Sequence, residues 1–341
     1  MNNEKLIFGC AYITAMVYYR IKKKGTKKYN YLVKGFKFNG KVYQIQKYIG
    51  YDRLNTEEIE ELKLKFENWF VKEIINKKAM LSSNNYYSKI FSRNQIITLE
   101  KIKFAFEEFM KNLHPNEREI LEGDFNVKYI YSTTATEGNT CTLAEVTRIL
   151  EESLSPKGKN LREIYEVRNF NDVLSFRKNY RNDLNRNFIS KLHELIMKDI
   201  DQYTLGTFRR IEVAIRGSDL KPVPAIFIEE EIEKLIIWYQ KNKTGLHPVE
   251  LAMHCHVRFE EIHPFTDGNG RVGREIFNFI INRDGYPSLN FDVIKRDQYL
   301  DGLESANSGD FKPMANYIID NYLEQMRVRL GNNPLKDIIL D

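Results

Sequence analysis

The sequence predicts a mostly α-helical protein with a small β-sheet near its N-terminal end. Three observations carry this reading. From Ile96 onward, apolar residues recur at helical spacing in one segment after another, separated by short polar connections. Residues 17–49 instead alternate, and are punctuated by Gly25-Thr26 and Asn39-Gly40, the second a strong hairpin signal. Charge divides along the same line. Residues 1–50 hold eleven Lys and Arg against Glu4 alone, a balance of +10 in a chain whose net charge is +5, so the rest is mildly acidic. Such asymmetry predicts a separate basic module on a larger body.

Val17–Lys24, Tyr29–Phe38 and Lys41–Ile49 read as a three-stranded meander closed by Gly50. A sheet this small needs cover for its apolar face, from the Leu6–Met16 segment or from the helix that follows. The apolar run Leu6–Tyr19 is too short to span a bilayer, and it lacks a basic start and a small-residue cleavage site. Neither membrane anchor nor leader is expected, and the location is expected to be cytoplasmic. Cys10, Cys141 and Cys255 form no CxxC pair and suit a reducing compartment. Asn55 before Thr56-Glu57-Glu58 reads as a helix cap, with helical spacing to Ile74. Residues 77–95, broken by Ser-Ser-Asn-Asn, read as a connection. Further helices are expected at 96–113, 142–153, 161–180, 185–200, 229–242, 247–261, 271–283 and 312–330, and a short hairpin at 211–228 with Gly217-Ser218-Asp219 in its turn. The expected division is a basic β-meander module (1–54), a helical linker (55–95), a helical domain (96–330) and a C-terminal tail (331–341).

The chemistry concentrates in His263-Pro264-Phe265-Thr266-Asp267-Gly268-Asn269-Gly270-Arg271-Val272-Gly273-Arg274. An amphipathic helix ends just before this segment and another begins within it. Gly268-Asn269-Gly270 therefore delivers exposed N–H groups onto a helix N-terminus, an anion site by geometry and dipole. Arg271 and Arg274, three apart, can hold further phosphates. Asp267 adds a carboxylate of the kind that holds Mg²⁺ beside phosphate oxygens. His263 adds an imidazole able to accept a proton near neutral pH. A base, a metal ligand, an anion nest and two arginines together describe phosphoryl or nucleotidyl transfer. The embedded G-x-G-x-x-G is not a dinucleotide fingerprint, because no hydrophobic strand precedes it.

The same twelve residues match the Fic motif, H-x-F-x-D/E-G-N-G-R-x-x-R, at every defined position. Gly206–Arg209 and His256–Ile262 resemble that family's flanking segments, and the resemblance spans roughly residues 95–330. It implies an all-α Fic fold whose flap is the hairpin near 213–226, and a protein adenylyltransferase that moves AMP from ATP to a Tyr, Thr or Ser hydroxyl of a target protein. By analogy His263 is the general base and Asp267 holds Mg²⁺. Gly268, Asn269 and Gly270 line the anion hole, Arg271 contacts the phosphate chain, and Arg274 takes the γ-phosphate. Relatives that transfer phosphate itself carry another residue at the position of Gly270. Tyr131–Thr140 resembles the family's inhibitory motif through Thr133, Glu137 and Gly138, placing Glu137 on an inhibitory helix near 137–153 and in competition with the γ-phosphate for Arg274. Relatives with such a glutamate also remove AMP. A transferase with another nucleotide donor, and a nucleic-acid-binding regulator with a nucleotide-sensing site, are the alternative functions. A homodimer, and nucleic acid on the basic module, are the other partners considered.

Overall fold

In unit one of two, three strands pair antiparallel in sequence order: β1 (Tyr18–Lys24), β2 (Lys27–Phe38) and β3 (Lys41–Gly50). The computed structural model describes residues 16–214 and 221–340, and the chain parts into two compact units between Leu81 and Ser82. Because side chains alternate across a sheet, one face gathers Leu32, Ile45 and Ile49. This face meets Leu62 of helix α1 (Thr56–Lys65), Phe66, and Trp69 and Phe70 of helix α2 (Glu67–Ser83). The expected cover is therefore supplied by the helices, while most of Leu6–Met16 lies outside the described residues. Asn55 caps α1 as its sequence suggests, accepting the Glu58 N–H at 2.9 Å while the Glu58 carboxylate accepts the Asn55 N–H at 2.8 Å. The polar segment 77–83, read as connection, is instead the end of α2. Ala79 is fully buried there, and burial outweighs the weak local propensity of the serines.

Among the described residues, the regular structure of the second unit is helical throughout. Its helices are α3 (Arg93–Asn112), α4 (Pro115–Thr136), α5 (Leu143–Glu151), α6 (Leu161–Asn179), α7 (Arg186–Met197), α8 (Ile228–Asn242), α9 (Pro248–Ile262), α10 (Asn269–Arg283), α11 (Arg296–Asn307), α12 (Lys312–Leu330) and α13 (Leu335–Leu340). Helices α9 and α10 form the centre, with α10 packed on α9, α7 and α4. Both are buried on nearly every side, as an inner helix must be. No helix among the described residues is long and apolar enough to cross a membrane.

Two expectations change, and a third lies partly outside the described residues. The residues 331–341, read as a tail, include α13, whose Ile338 and Ile339 are buried against the bundle. Glu137 does not sit on a helix of 137–153. It caps the C-terminus of α4, Gly138 follows at φ +99°, and the next helix starts only at Leu143. The hairpin turn Gly217-Ser218-Asp219 lies outside the described residues, and its described flanks form no strand ladder. They are tied down instead by the Val223 N–H to Glu261 O (3.2 Å) and the Ala225 N–H to Glu212 Oε1 (2.9 Å).

Candidate active site

The loop from His263 to Gly268 connects the two central helices. His263 ends α9 with φ +49°, a left-handed conformation that costs a non-glycine residue about 1 kcal/mol. Arg209 holds it there. Its Nε donates to His263 O at 2.8 Å and its backbone N–H to Pro264 O at 2.8 Å, while its other nitrogens bind Ile211 O and Val223 O at 2.7 and 2.6 Å. Further along, Asn269 clamps the loop through both backbone groups of Phe265, at 2.9 and 2.8 Å. The Phe265 ring lies parallel to His193, with centroids 3.8 Å apart. Gly268, at φ +79°, turns the chain into α10.

The N-terminal turn of α10 opens into a cavity of about 670 Å³ that is also lined by Glu137, His263, Asp267 and Arg271. The site residues drawn from the sequence thus share one wall, with the exception of Arg274. That side chain is fully buried just behind it, where its Nε donates to Thr133 Oγ1 (2.8 Å) and its Nη2 to Thr133 O (2.9 Å) and Glu137 Oε1 (2.7 Å). Gly270 sits beside this pair, and a Cβ there would overlap Glu137 Oε1 and lie 3.1 Å from Arg274 Nη1. Arg271 turns its guanidinium to Glu166 (3.2 Å) and Asp267 (3.1 Å), leaving Nε buried without a partner. Asp267 also pairs with Arg162 and accepts the Gly268 N–H at 2.5 Å.

Electrostatics follow from these contacts. Burial works to raise the Glu137 pKa, but Arg274 and Arg271 outweigh it and hold the carboxyl below its ordinary range. Reciprocally, burial would lower the pKa of Arg274, and Glu137 raises it instead. Asp267 is likewise depressed, with Arg271 and Arg162 overcoming burial. Burial lowers the pKa of His263, so its imidazole is neutral at pH 7. Glu260, one turn back on α9, is pushed up to about 8 by burial and then by Glu137. It faces Gly273, where a Cβ would collide with Glu260 Oε1 and with His256 Nδ1. Asp267 belongs to no cluster of three or more His, Cys, Asp or Glu among the described residues.

Sequence reasoning passed over His193 and Arg162. The Nδ1 of His193 accepts the Gly206 N–H at 3.0 Å, which leaves Nε2 as donor to Asp267 O at 3.2 Å. Burial drops its pKa to about 4, so this neutral tautomer persists. Neither residue lies near the motif in sequence, and nothing short of a fold could have brought them to it. Arg209, by contrast, was signalled by Gly-Thr-Phe-Arg at 206–209.

Comparison with known proteins agrees with this geometry. The Fic/DOC family profile matches residues 183–281. The protein adenylyltransferase fic-1 of Caenorhabditis briggsae is 30% identical over 217 residues, covering 60% of this chain and 42% of that protein. The protein adenylyltransferase Fic of Drosophila grimshawi is 31% identical over 198 residues, covering 57% and 40%. The chain thus spans about two fifths of the length of these relatives. Among solved structures, a Fic domain containing signaling protein from Bacteroides thetaiotaomicron superposes with a TM-score of 0.62 at 24% identity, over 67% of this chain and 95% of that one. Fic-1 from Caenorhabditis elegans gives 0.62 at 24%, over 82% and 78%. Residues 183–281 of this chain form a Fic/DOC family domain.

Proposed function

We propose that this chain is a protein adenylyltransferase, restrained by Glu137. The reading rests above all on one juxtaposition: a neutral imidazole and a helix N-terminus face the same cavity, and the arginine behind them is already occupied by a carboxylate. The triphosphate of ATP lies along Gly268–Gly270 at the start of α10, where the N–H groups of the first helical turn and the dipole favour negative charge. Arg274 takes the γ-phosphate and Arg271 the phosphates nearer the ribose. His263 takes the proton of a Tyr, Thr or Ser hydroxyl on a target protein. The hydroxyl oxygen then bonds to the α-phosphorus, the bond to the bridging oxygen breaks, and pyrophosphate leaves. The Asp267 carboxylate, on the cavity wall and held ionised by its arginines, suits a Mg²⁺ that shares phosphate oxygens. The ion would supply charge neutralisation there.

While Glu137 holds Arg274, the γ-phosphate lacks its partner and meets a like charge. The nucleotide then binds weakly, or with its α-phosphorus misplaced for attack, and small misplacements cost orders of magnitude. The Glu137 carboxylate also lines the cavity, where it can orient a water toward an AMP-modified target. That position favours AMP removal as a second activity of the same site. The test is label transfer from ATP in the presence of Mg²⁺. Glu137→Gly should label itself from ATP carrying the isotope on the α-phosphate and not on the γ-phosphate. Label from the γ-phosphate would make the enzyme a kinase and overturn the proposal.

A further inference from the structure

We infer that the open face of the N-terminal sheet binds double-stranded DNA, independently of the nucleotide chemistry in the second unit. Residues 16–50 contain ten Lys and Arg and no acid. The register decides where these charges go. Leu32 and Ile45 face the helices, so the opposite set lies on the other face: Arg20 across from Tyr31, Tyr31 from Tyr48, and Gln46 from Val33, which is itself fully buried. Lys22, Lys24 and Lys27 extend the outward set along β1 and into β2, and all three are exposed, as are Gln44 and Gln46.

This face is a lattice of hydrogen-bonding side chains. The Arg20 guanidinium reaches Gln44 Oε1 at 3.3 Å and Tyr18 Oη at 2.6 Å, and Lys22 Nζ reaches Gln46 Oε1 at 2.5 Å. Arginine and glutamine are the side chains whose forked geometry matches guanine and adenine edges in the major groove. Three strands at ordinary spacing are about 10 Å across, against a groove about 12 Å wide. The lysines on the rim then meet phosphates. A single strand would need free ring faces for stacking. The rings here are engaged instead: the ammonium of Lys22 sits 4.8 Å from the Tyr31 centroid, and Tyr31 and Tyr48 tilt against each other at 5.6 Å. Duplex is therefore favoured over single-stranded nucleic acid.

The test uses the full chain and fluorescence anisotropy with a labelled, mixed-sequence duplex of about 20 base pairs. Three phosphate contacts, one for each rim lysine, predict that affinity falls by about 40-fold between 50 and 200 mM salt. Arg20→Glu with Lys22→Glu should abolish binding. Lys241→Glu with Arg327→Glu, the same charge change at exposed positions of the second unit, should leave it intact. Circular dichroism and thermal melting establish that both variants fold. The proposal is overturned if the wild type does not bind at 50 mM salt or if the two double variants lose affinity equally. It is likewise overturned by tighter binding to the single strand, or to vesicles of anionic phospholipid, than to the duplex.

Discussion

Replacing Glu137 by glycine should raise nucleotide affinity and transfer while lowering the stability of the empty protein. Both effects come from the same contact. Glu137 gives Arg274 one charge-assisted hydrogen bond at 2.7 Å, and Arg274 keeps its two bonds to Thr133 when the carboxylate is removed. A bond to a charged group contributes about 1.5–3 kcal/mol. Transferred to the γ-phosphate, this energy corresponds to a gain in ATP affinity of about 10- to 100-fold. Breaking a buried pair from one side costs about 3–5 kcal/mol. The Glu137 side chain is 31% exposed and Arg274 stays partly satisfied, so the smaller figure of about 1–2 kcal/mol is expected here. For a domain of this size that lowers Tm by about 2–8 °C. Calorimetric titration of ATP and a thermal melt without nucleotide measure the two effects separately. Unchanged affinity, or a melting temperature that does not move, would refute the competition of Glu137 with phosphate. The stability term also has a pH signature. The Glu137 pKa lies below 4.5 in the fold, so its contribution is complete above that value and lost as pH falls through the depressed one. The melting difference between wild type and Glu137→Gln should therefore close in acid.

Other predictions concern the neighbours. In the Glu137→Gly background, His263→Ala should remove transfer without changing ATP affinity, as isotope labelling and calorimetry will report. The acid limb of kcat/KM in that background should fall below pH 6.5, because burial lowers the His263 pKa; a limb at or above 6.5 contradicts the assigned base. Glu260→Gln should raise Tm at pH 7.5 and not near pH 4.5. Between 4.5 and about 8 the folded chain keeps a proton that the unfolded chain releases, a penalty of about 1.4 kcal/mol per pH unit that the amide avoids. Gly273→Ala should cost about 1–3 kcal/mol by thermal melting, since its methyl has only Glu260 and His256 to occupy.

Much of the site was legible because its parts are local. The glycines that start α10, the imidazole before them and the arginines after them lie within twelve consecutive residues. The helix start brings His263, Gly268–Gly270 and Arg271 to one cavity, with Arg274 buried behind it. The strand boundaries were legible for the same reason, since Asn39-Gly40 and Gly25-Thr26 fix a register that the ladders follow. What stayed hidden depends on distant partners. Helix α4 carries Ser132, Thr133, Thr134 and Thr136 near its end, residues that compete with the backbone and obscure a helical pattern. In the fold Thr134 and Thr136 return their hydroxyls to the carbonyls four residues back, both at 2.8 Å, and so can be buried within the helix. This places Thr133 and Glu137 together before Arg274. The roles of His193 and Arg162 arise only when α6 and α7 bring them to the motif loop. The C-terminal α13 is too short for its periodicity to register.

A crystal structure of Glu137→Gly with a non-hydrolysable ATP analogue tests the central claim most directly. The triphosphate should lie along Gly268–Gly270, with its γ-phosphate on Arg274 and its α-phosphorus open to a hydroxyl within reach of His263. A nucleotide bound elsewhere, or an Arg274 that touches only Thr133 while the γ-phosphate points to solvent, would contradict it.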